Sequence, residues 1–307
     1  MDNQDIKVTI RCITYNQKDY IRQCLDGFVM QRTNFRFEAI VHDDASTDGT
    51  AEIVREYAEK YPDIIKPIFE TENQYSKHDG SLGRIMNANT RGKYVAICEG
   101  DDYWTDPLKL QKQADFLDAN PQCSLTYHAC KNVFSTPCKV NILYGECVKE
   151  SYSDIDILSI YPFQTATVMY RKEILDSDLY KKAQAIGCTA GDQILFLTAS
   201  RLGTIEGVNE KMSVYRHHEG GISQHMYDAD KMWKNFKDWQ KVALLFGGNI
   251  RKKVNKDKLG VYMYGAFTTR KYILFFKMLC LSMFKNPYSI VFSVILSSSY
   301  YYHRLFK

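Results

Sequence analysis

The sequence predicts an α/β fold, a mainly parallel, Rossmann-like sheet flanked by helices and followed by a helical C-terminal extension. Three observations carry this. Strand-like and helix-like runs alternate through the first hundred residues, the signature of a parallel sheet wound by right-handed crossovers. Two apolar runs end abruptly in acids, Val41 in His42-Asp43-Asp44 and Cys98 in Glu99-Gly100-Asp101-Asp102, where the carboxyl ends of strands bind ligands in open α/β sheets. Beyond Arg270 the alternation is lost and the chain turns apolar and aromatic, with lysines inserted.

Taken in order, residues 7–14 alternate as a strand and stop at the turn-forming Tyr15-Asn16-Gln17. Ile21, Cys24, Leu25, Phe28 and Val29 then recur at helical spacing to about Met30. Residues 37–41 form a second strand, and Ser46-Thr47-Asp48 supply caps for a helix over 50–60 that Pro62 stops. A weaker third strand over 64–69 is interrupted by Pro67. Residues 70–83 read as a loop, 82–89 as a short helix ending near Arg91-Gly92, and 93–98 as the fourth strand. Thr105-Asp106-Pro107 opens a helix that Asn120-Pro121 closes, and 123–129 is a further strand. Residues 130–160 are poorly patterned, which suits a region specialised for a second ligand. The spacing then predicts strands over 165–170 and 204–208 and a helix over 194–199 entered through Gly191-Asp192-Gln193. A dense polar cluster, Arg216-His217-His218-Glu219-Gly220-Gly221, follows Ser213–Tyr215, and an amphipathic helix spans 226–246. Residues 272–284 and 288–302 are strongly apolar.

A chain of 307 residues with 45% hydrophobic content has ample material for a core, in one large domain or two modest ones. The net charge of +4 is mixed in sign along the chain and excludes a nucleic-acid groove as its main business. Nine cysteines form no Cys-x-x-Cys pair and several lie in apolar strands, so they read as buried, reduced thiols. The N-terminus is polar and acidic where a signal peptide is basic and then apolar. The expected location of the catalytic body is therefore the cytoplasm, at the inner face of the cell membrane.

Glu99-x-Asp101 at a strand tip offers an incomplete site for a hard cation, Mg²⁺ or Mn²⁺, which takes one or two carboxylates and fills its shell with substrate phosphate oxygens. The same residues also suit an acidic turn that caps a helix. Asp43 and Asp44 admit binding or a simple strand-to-helix turn, and Asp192 a base or a helix N-cap. His217 and His218 are candidates for a diphosphate or metal, Arg84 for phosphate, and Tyr103 and Trp104 for a sugar pocket or the core beneath it.

The combination of Thr14-Tyr15-Asn16, Asp43-Asp44-Ala45-Ser46-Thr47-Asp48-Gly49-Thr50, Arg91-Gly92-Lys93-Tyr94 and Glu99-Gly100-Asp101-Asp102, in this order, resembles the family 2 glycosyltransferases, inverting enzymes of the GT-A fold. The match covers roughly residues 6–221. The resemblance implies a nucleotide-sugar donor, usually a UDP-sugar, with Thr14, Tyr15, Asn16, Asp43 and Asp44 on the nucleoside side. It also implies Glu99, Gly100 and Asp101 at the diphosphate, with Asp101 on a divalent metal, for which His218 is the candidate imidazole ligand. Two departures stand out. The metal motif begins with Glu99 where the family usually shows Asp, which turns Glu99 towards the nucleoside or ribose. The acceptor-side acidic turn is Gly191-Asp192-Gln193, which leaves Asp192 as the single candidate base. The Gln-x-x-Arg-Trp pattern of processive synthases is absent, so one sugar per encounter is expected.

Sugar transfer from a nucleotide diphosphate needs neutralisation of the leaving group's charge and a base for the acceptor hydroxyl. Asp101 and Asp192 are matched to those two tasks, with a glycan or lipid-linked saccharide of a cell-surface polysaccharide, such as capsule or O-antigen, as acceptor. A sugar-1-phosphate nucleotidyltransferase would need a glycine-rich basic loop after the first strand, and Thr14-Tyr15-Asn16-Gln17 is not that loop. A non-catalytic scaffold subunit would have no need of Asp192. The expected domains are 1–225, catalytic, with 1–129 on the donor side and 130–225 on the acceptor side, and 226–307, a helical extension. Its apolar segments fall short of the ~20 residues that span a bilayer. Residues 270–307 therefore suit a membrane surface, or packing on the catalytic domain or on another subunit of a homo-oligomer.

Overall fold

The computed structural model describes residues 6–135, 152–160, 162–187, 190–218, 220, 229–268 and 270–285. The expected apolar run over 288–302, the start of the 226–246 helix, Gly221 and most of the poorly patterned 130–160 lie outside the described residues. The chain divides into two compact units, one within 1–185 and 190–218, the other within 186–189 and 219–307.

In the first unit the alternation of Val8, Ile10 and Cys12 makes β1 (Val8–Thr14), and all three side chains are fully buried. β1 pairs in parallel with β2 (Phe37–Asp43) on one side and β4 (Tyr94–Ile97) on the other, and β2 pairs with β3 (Ile65–Phe69). The connections are α1 (Lys18–Val29), α2 (Thr50–Lys60) and α3 (Ser81–Asn89). Pro67 sits in β3, the outermost strand on that side, where a missing N–H leaves no central ladder broken. Because these strands are parallel, the acids that end β2 and β4 emerge at one edge of the sheet.

At the opposite edge, Glu38 is buried and accepts a hydrogen bond from the Thr9 hydroxyl (3.0 Å) and two from the Arg91 guanidinium. The Thr9 hydroxyl in turn accepts the Gly92 amide at 2.8 Å. A Cβ on Gly92 would lie 2.5 Å from the Thr9 nitrogen, so only glycine permits this approach. The Arg91-Gly92 motif therefore clasps β1, β2 and the entry to β4.

The rest of the unit comprises β5 (Tyr103–Trp104), α4 (Lys109–Ala119), β6 (Cys123–Phe134), α5 (Asp154–Ile160), β7 (Met169–Arg171), α6 (Glu173–Asp176), α7 (Asp178–Gln184), α8 (Gly191–Leu202) and β8 (Thr204–His217). The sheet order is β3-β2-β1-β4-β7-β6-β8-β5. β7 is antiparallel to both β4 and β6, β6 and β8 are parallel, and β5 is antiparallel to β8. Two expectations change. Residues Thr165–Thr167 are a 3₁₀ turn, not strand, because the Thr167 hydroxyl donates to the Gln164 carbonyl at 2.6 Å and closes the turn. The strand expected over 204–208 runs on to His217, kept in step with β6 by register shifts that include those around His128 and Ala129. Trp104 fills the core against Phe28 with ring centroids 5.1 Å apart, and its indole N–H donates to the Ala166 carbonyl at 2.9 Å. Of its two readings, core is the observed one.

In the second unit α9 (Ala229–Phe246), α10 (Gly248–Lys253), a π-helical turn (Val254–Lys258), α11 (Leu259–Thr268) and α12 (Tyr272–Lys285) follow one another. Phe236, Leu259, Met263, Ala266, Leu274 and Met278 form its core. No helix among the described residues is long and apolar enough to cross a membrane.

Candidate active site

The tips of β1 and β2 are stitched together by the loops that leave them. Asn16 holds a left-handed backbone (φ 51°), which its short polar side chain tolerates. Its amide donates to the Ser46 hydroxyl at 2.9 Å, and its side-chain oxygen accepts the Thr47 amide at 2.8 Å. The Gln17 and Lys18 amides donate to Thr50 and Asp48. Asp48 also accepts the Thr50 amide, as expected of a residue near the start of α2. Tyr15, by contrast, is exposed.

The two acids of β2 differ in what holds them. The Asp44 carboxylate is gripped by the amides of Gln74 (2.7 Å) and Tyr75 (3.0 Å) from the loop before α3. Asp43 accepts the Ser46 amide at 3.1 Å on one oxygen, while its other oxygen, Oδ1, is buried with no protein partner. A buried carboxylate oxygen left this way at a strand tip is an acceptor awaiting a donor.

The β4 tip lies against the same loops. The Gly100 amide donates to the Ile13 carbonyl at 3.0 Å. A Cβ on Gly100 would lie 2.4 Å from the Gln17 side-chain oxygen and 2.7 Å from the Thr14 hydroxyl, so glycine is required by close approach. Burial, with the nearby Asp101 and Asp192 carboxylates, pushes the Glu99 carboxyl up to about 8. Asp101 faces His218, with Oδ2 3.0 Å from Nε2. Asp102 is buried, accepts the Arg216 amide at 2.9 Å, and its carboxyl is raised well above the usual range by burial and by Asp101. Asp102 therefore anchors β8, and Asp101 is the acid at the open edge. Arg216 donates to the Asp101 carbonyl and to Gln23, with its guanidinium over the Tyr103 ring at 4.3 Å. Tyr20 packs on the His218 ring at 4.7 Å.

Asp192 lies in the first turn of α8, whose N-cap position is Ala190 with no side-chain cap bond. Its carboxylate accepts the Gln193 amide at 2.7 Å and acts electrostatically on both Glu99 and Tyr75. The sequence separation from Glu99 is thus closed in space. His217 turns to Asn132 (3.0 Å) and stacks on Phe134, so of the two histidines it is His218 that meets Asp101. Arg84 is exposed, donates to the Asp79 carbonyl at 2.7 Å and pairs with its carboxylate at 3.6 Å. A phosphate at Arg84 would have to displace that pair.

Sequence reasoning missed two arginines. Arg11 donates to Asn87 at 2.9 Å and to the Tyr170 hydroxyl at 3.3 Å, and its charge opposes the rise in Glu99. An arginine in the middle of an otherwise apolar strand was the available signal. Arg216 was visible only as part of a polar cluster. For Gln74 and Tyr75, which act through backbone amides, no side-chain signal existed. Behind the loop, the buried thiols of Cys12 and Cys24 are 4.0 Å apart, and Cys24 and Cys98 both donate to the Glu99 carbonyl, at 3.4 and 3.8 Å.

The model of glycosyl transferase family 2 matches residues 9–179, more than half of the chain. The chain belongs to glycosyl transferase family 2. The chain is 37% identical over 228 residues to an uncharacterized protein of Mycobacterium tuberculosis, covering 74% of this chain and 64% of the relative's length, so it spans less than two thirds of that relative. A putative teichuronic acid biosynthesis glycosyltransferase of Bacillus subtilis, TuaG, is 27% identical over 250 residues, covering 80% of this chain and 93% of TuaG. Among solved structures, S. aureus TarS 1-349 in complex with UDP-GlcNAc aligns with a TM-score of 0.61 at 20% identity, over 86% of this chain and 73% of that one. A mannosyltransferase from Pyrobaculum calidifontis in complex with GDP-Man and Mn²⁺ aligns with a TM-score of 0.55 at 18% identity, over 95% of this chain and 87% of that one. The GT-A fold and the family expected from the sequence both stand.

Among the described residues no three His, Cys, Asp or Glu side chains converge to hold a metal ion by themselves. The donor set present, one carboxylate and one imidazole in contact at the β4 tip, fits a cation whose remaining ligands are diphosphate oxygens.

Proposed function

We propose that the protein is an inverting, metal-dependent glycosyltransferase that moves one sugar from a nucleotide-diphosphate sugar, of the UDP class, to a hydroxyl of a glycan or lipid-linked acceptor in cell-surface polysaccharide assembly on the cytoplasmic side of the membrane. The observation that carries the reading is the meeting of Asp101, His218 and Asp192 around one strand tip. The UDP-GlcNAc of the TarS complex, the Mn²⁺ of the mannosyltransferase complex and the teichuronic acid role given to TuaG support it.

In this reading Asp43 Oδ1 accepts a hydrogen bond from the nucleoside, and Thr14, Asn16 and Asp44 shape its pocket, with Tyr15 at the rim. Gly100 lets the backbone of the β4 tip approach β1, and Glu99 faces the ribose. Asp101 and His218 hold a divalent cation, Mg²⁺ or Mn²⁺, which when bound neutralises the charge that develops on the leaving diphosphate. Asp192 takes the proton of the acceptor hydroxyl as that oxygen attacks the anomeric carbon from the face opposite the diphosphate, which inverts the configuration.

Calorimetric titration with UDP, with and without Mn²⁺, tests the donor half, and product formation from a UDP-sugar tests the acceptor half. Mn²⁺-dependent UDP binding is expected to disappear in Asp101→Ala and to persist in Asp192→Asn. Transfer in Asp192→Asn should fall by roughly 10²- to 10⁴-fold, the usual contribution of a positioned base. Full turnover in Asp192→Asn would remove the base assignment, and unaltered Mn²⁺-dependent binding in Asp101→Ala would remove the metal assignment.

A further inference from the structure

The positive charge of this chain is not spread evenly. From residue 229 to 285 there are thirteen Lys or Arg against three Asp or Glu, a net of +10, which leaves the rest of the chain at −6. Within that basic unit α12 carries a second anomaly. Its Leu274, Met278 and Ser282 are buried, and Leu274 and Met278 pack in the core of the unit. On the other side Ile273 is 78% exposed, Phe276 59%, Met283 67% and Phe284 90%, with Tyr272 and Cys280 exposed as well.

At ~100° per residue these six positions fall within an arc of about 120°, opposite the buried stripe. The outer face of α12 is thus a second apolar stripe on an already packed helix. A soluble helix normally presents polar side chains there, and a contiguous exposed apolar face marks an interaction surface. Arg270 and Lys271 precede the stripe, and Lys277 stands exposed at its border. Arg251, Lys252 and Lys256 add exposed positive charge on the same unit.

We infer that α12 docks in the plane of an anionic lipid bilayer, its apolar stripe entering the boundary between head groups and acyl chains. The choice of occupant follows from charge and shape together. An excess of basic groups has no complement within its own unit, whereas anionic head groups supply one, and lysines with long apolar stems keep their ammonium groups at head-group level while the stems run along the apolar layer. With 14 residues α12 is ~21 Å long, which suits lying in the interface and not spanning it. This inference stands apart from the transfer chemistry, because it uses no residue of the β1, β2 or β4 tips.

The test is co-sedimentation of the whole protein with vesicles of phosphatidylcholine alone and with about one third phosphatidylglycerol, across a series of NaCl concentrations. Two variants, Phe276→Glu and Ile273→Glu, place charge on the outward stripe and leave the buried stripe intact, and their melting temperatures and UDP binding are measured alongside. The expected result is binding to phosphatidylglycerol vesicles that weakens with salt and drops at least tenfold in either variant, with folding and UDP binding unchanged. Absence of vesicle binding by the wild-type protein would overturn the inference. So would vesicle binding untouched by both variants, which would move the contact to other residues. A wild-type dimer in solution that both variants convert to monomer, with no affinity for vesicles, would show that the stripe is covered by a second copy.

Discussion

Lys109 has no exposed surface, donates to Gln113 at 2.7 Å and lies 4.0 Å over the Trp104 ring. Burial pulls its amine down from 10.5 to about 7. Between these values the unfolded chain holds a proton that the folded chain does not, so this residue makes stability rise with pH across that window. Below about 7 the folded state carries the buried charge at full cost. Lys109→Met should therefore be more stable than the wild type at pH 6, by on the order of a few kcal/mol, and the margin should shrink as the pH approaches 10. Paired thermal melts at pH 6 and 9.5 decide this. Buried His128 acts in the same sense on the acid side, because burial and the neighbouring Lys109 charge lower its imidazole well below 6.5.

Among the elements, the clasp of Glu38, Thr9 and Arg91 ties three parallel strands at the edge remote from the acids. Arg91→Ala would strand a buried carboxylate with only the Thr9 hydroxyl, at a cost of about 2 kcal/mol, and a second change, Glu38→Gln, should recover part of it. Urea midpoints of the single and double variants measure both effects. The parallel half of the sheet was legible because each strand ends where an apolar run meets Asn16, Asp43 or Glu99. The antiparallel β7 was legible only in part: a strand was expected over 165–170 and lies at Met169–Arg171, but its place between β4 and β6 is set by long-range pairing. In the same way the tips of β2 and β4 were readable as acids. The contact of Asp101 with His218, 117 positions away, and the grip of backbone amides on Asp44 arise only from folding. The helices between Gly247 and Thr268 escaped the reading because α11 is apolar all round and lacks a helical stripe to detect. Two consecutive glycines with φ of 67° and 48° mark the break before them.

For the whole molecule, the proposed function is transfer of one sugar per encounter. Mass spectra of products at low turnover should show acceptors extended by one sugar, with no ladder of longer chains. A ladder formed in a single encounter would contradict this. The three thiols behind the β4 tip add something of another kind. Cys12, Cys24 and Cys98 have no exposed surface, and burial raises the Cys98 thiol to about 11 and the Cys24 thiol well above its usual range. A maleimide can reach them only when β1, α1 and the end of β4 part, so their labelling rate, followed by peptide mapping against the exposed Cys280, times that parting. Donor and metal, by fastening the loops of Asn16, Asp43 and Asp101, should slow the labelling. The sulfurs therefore make the back wall of the pocket a stopwatch for how often its front comes undone.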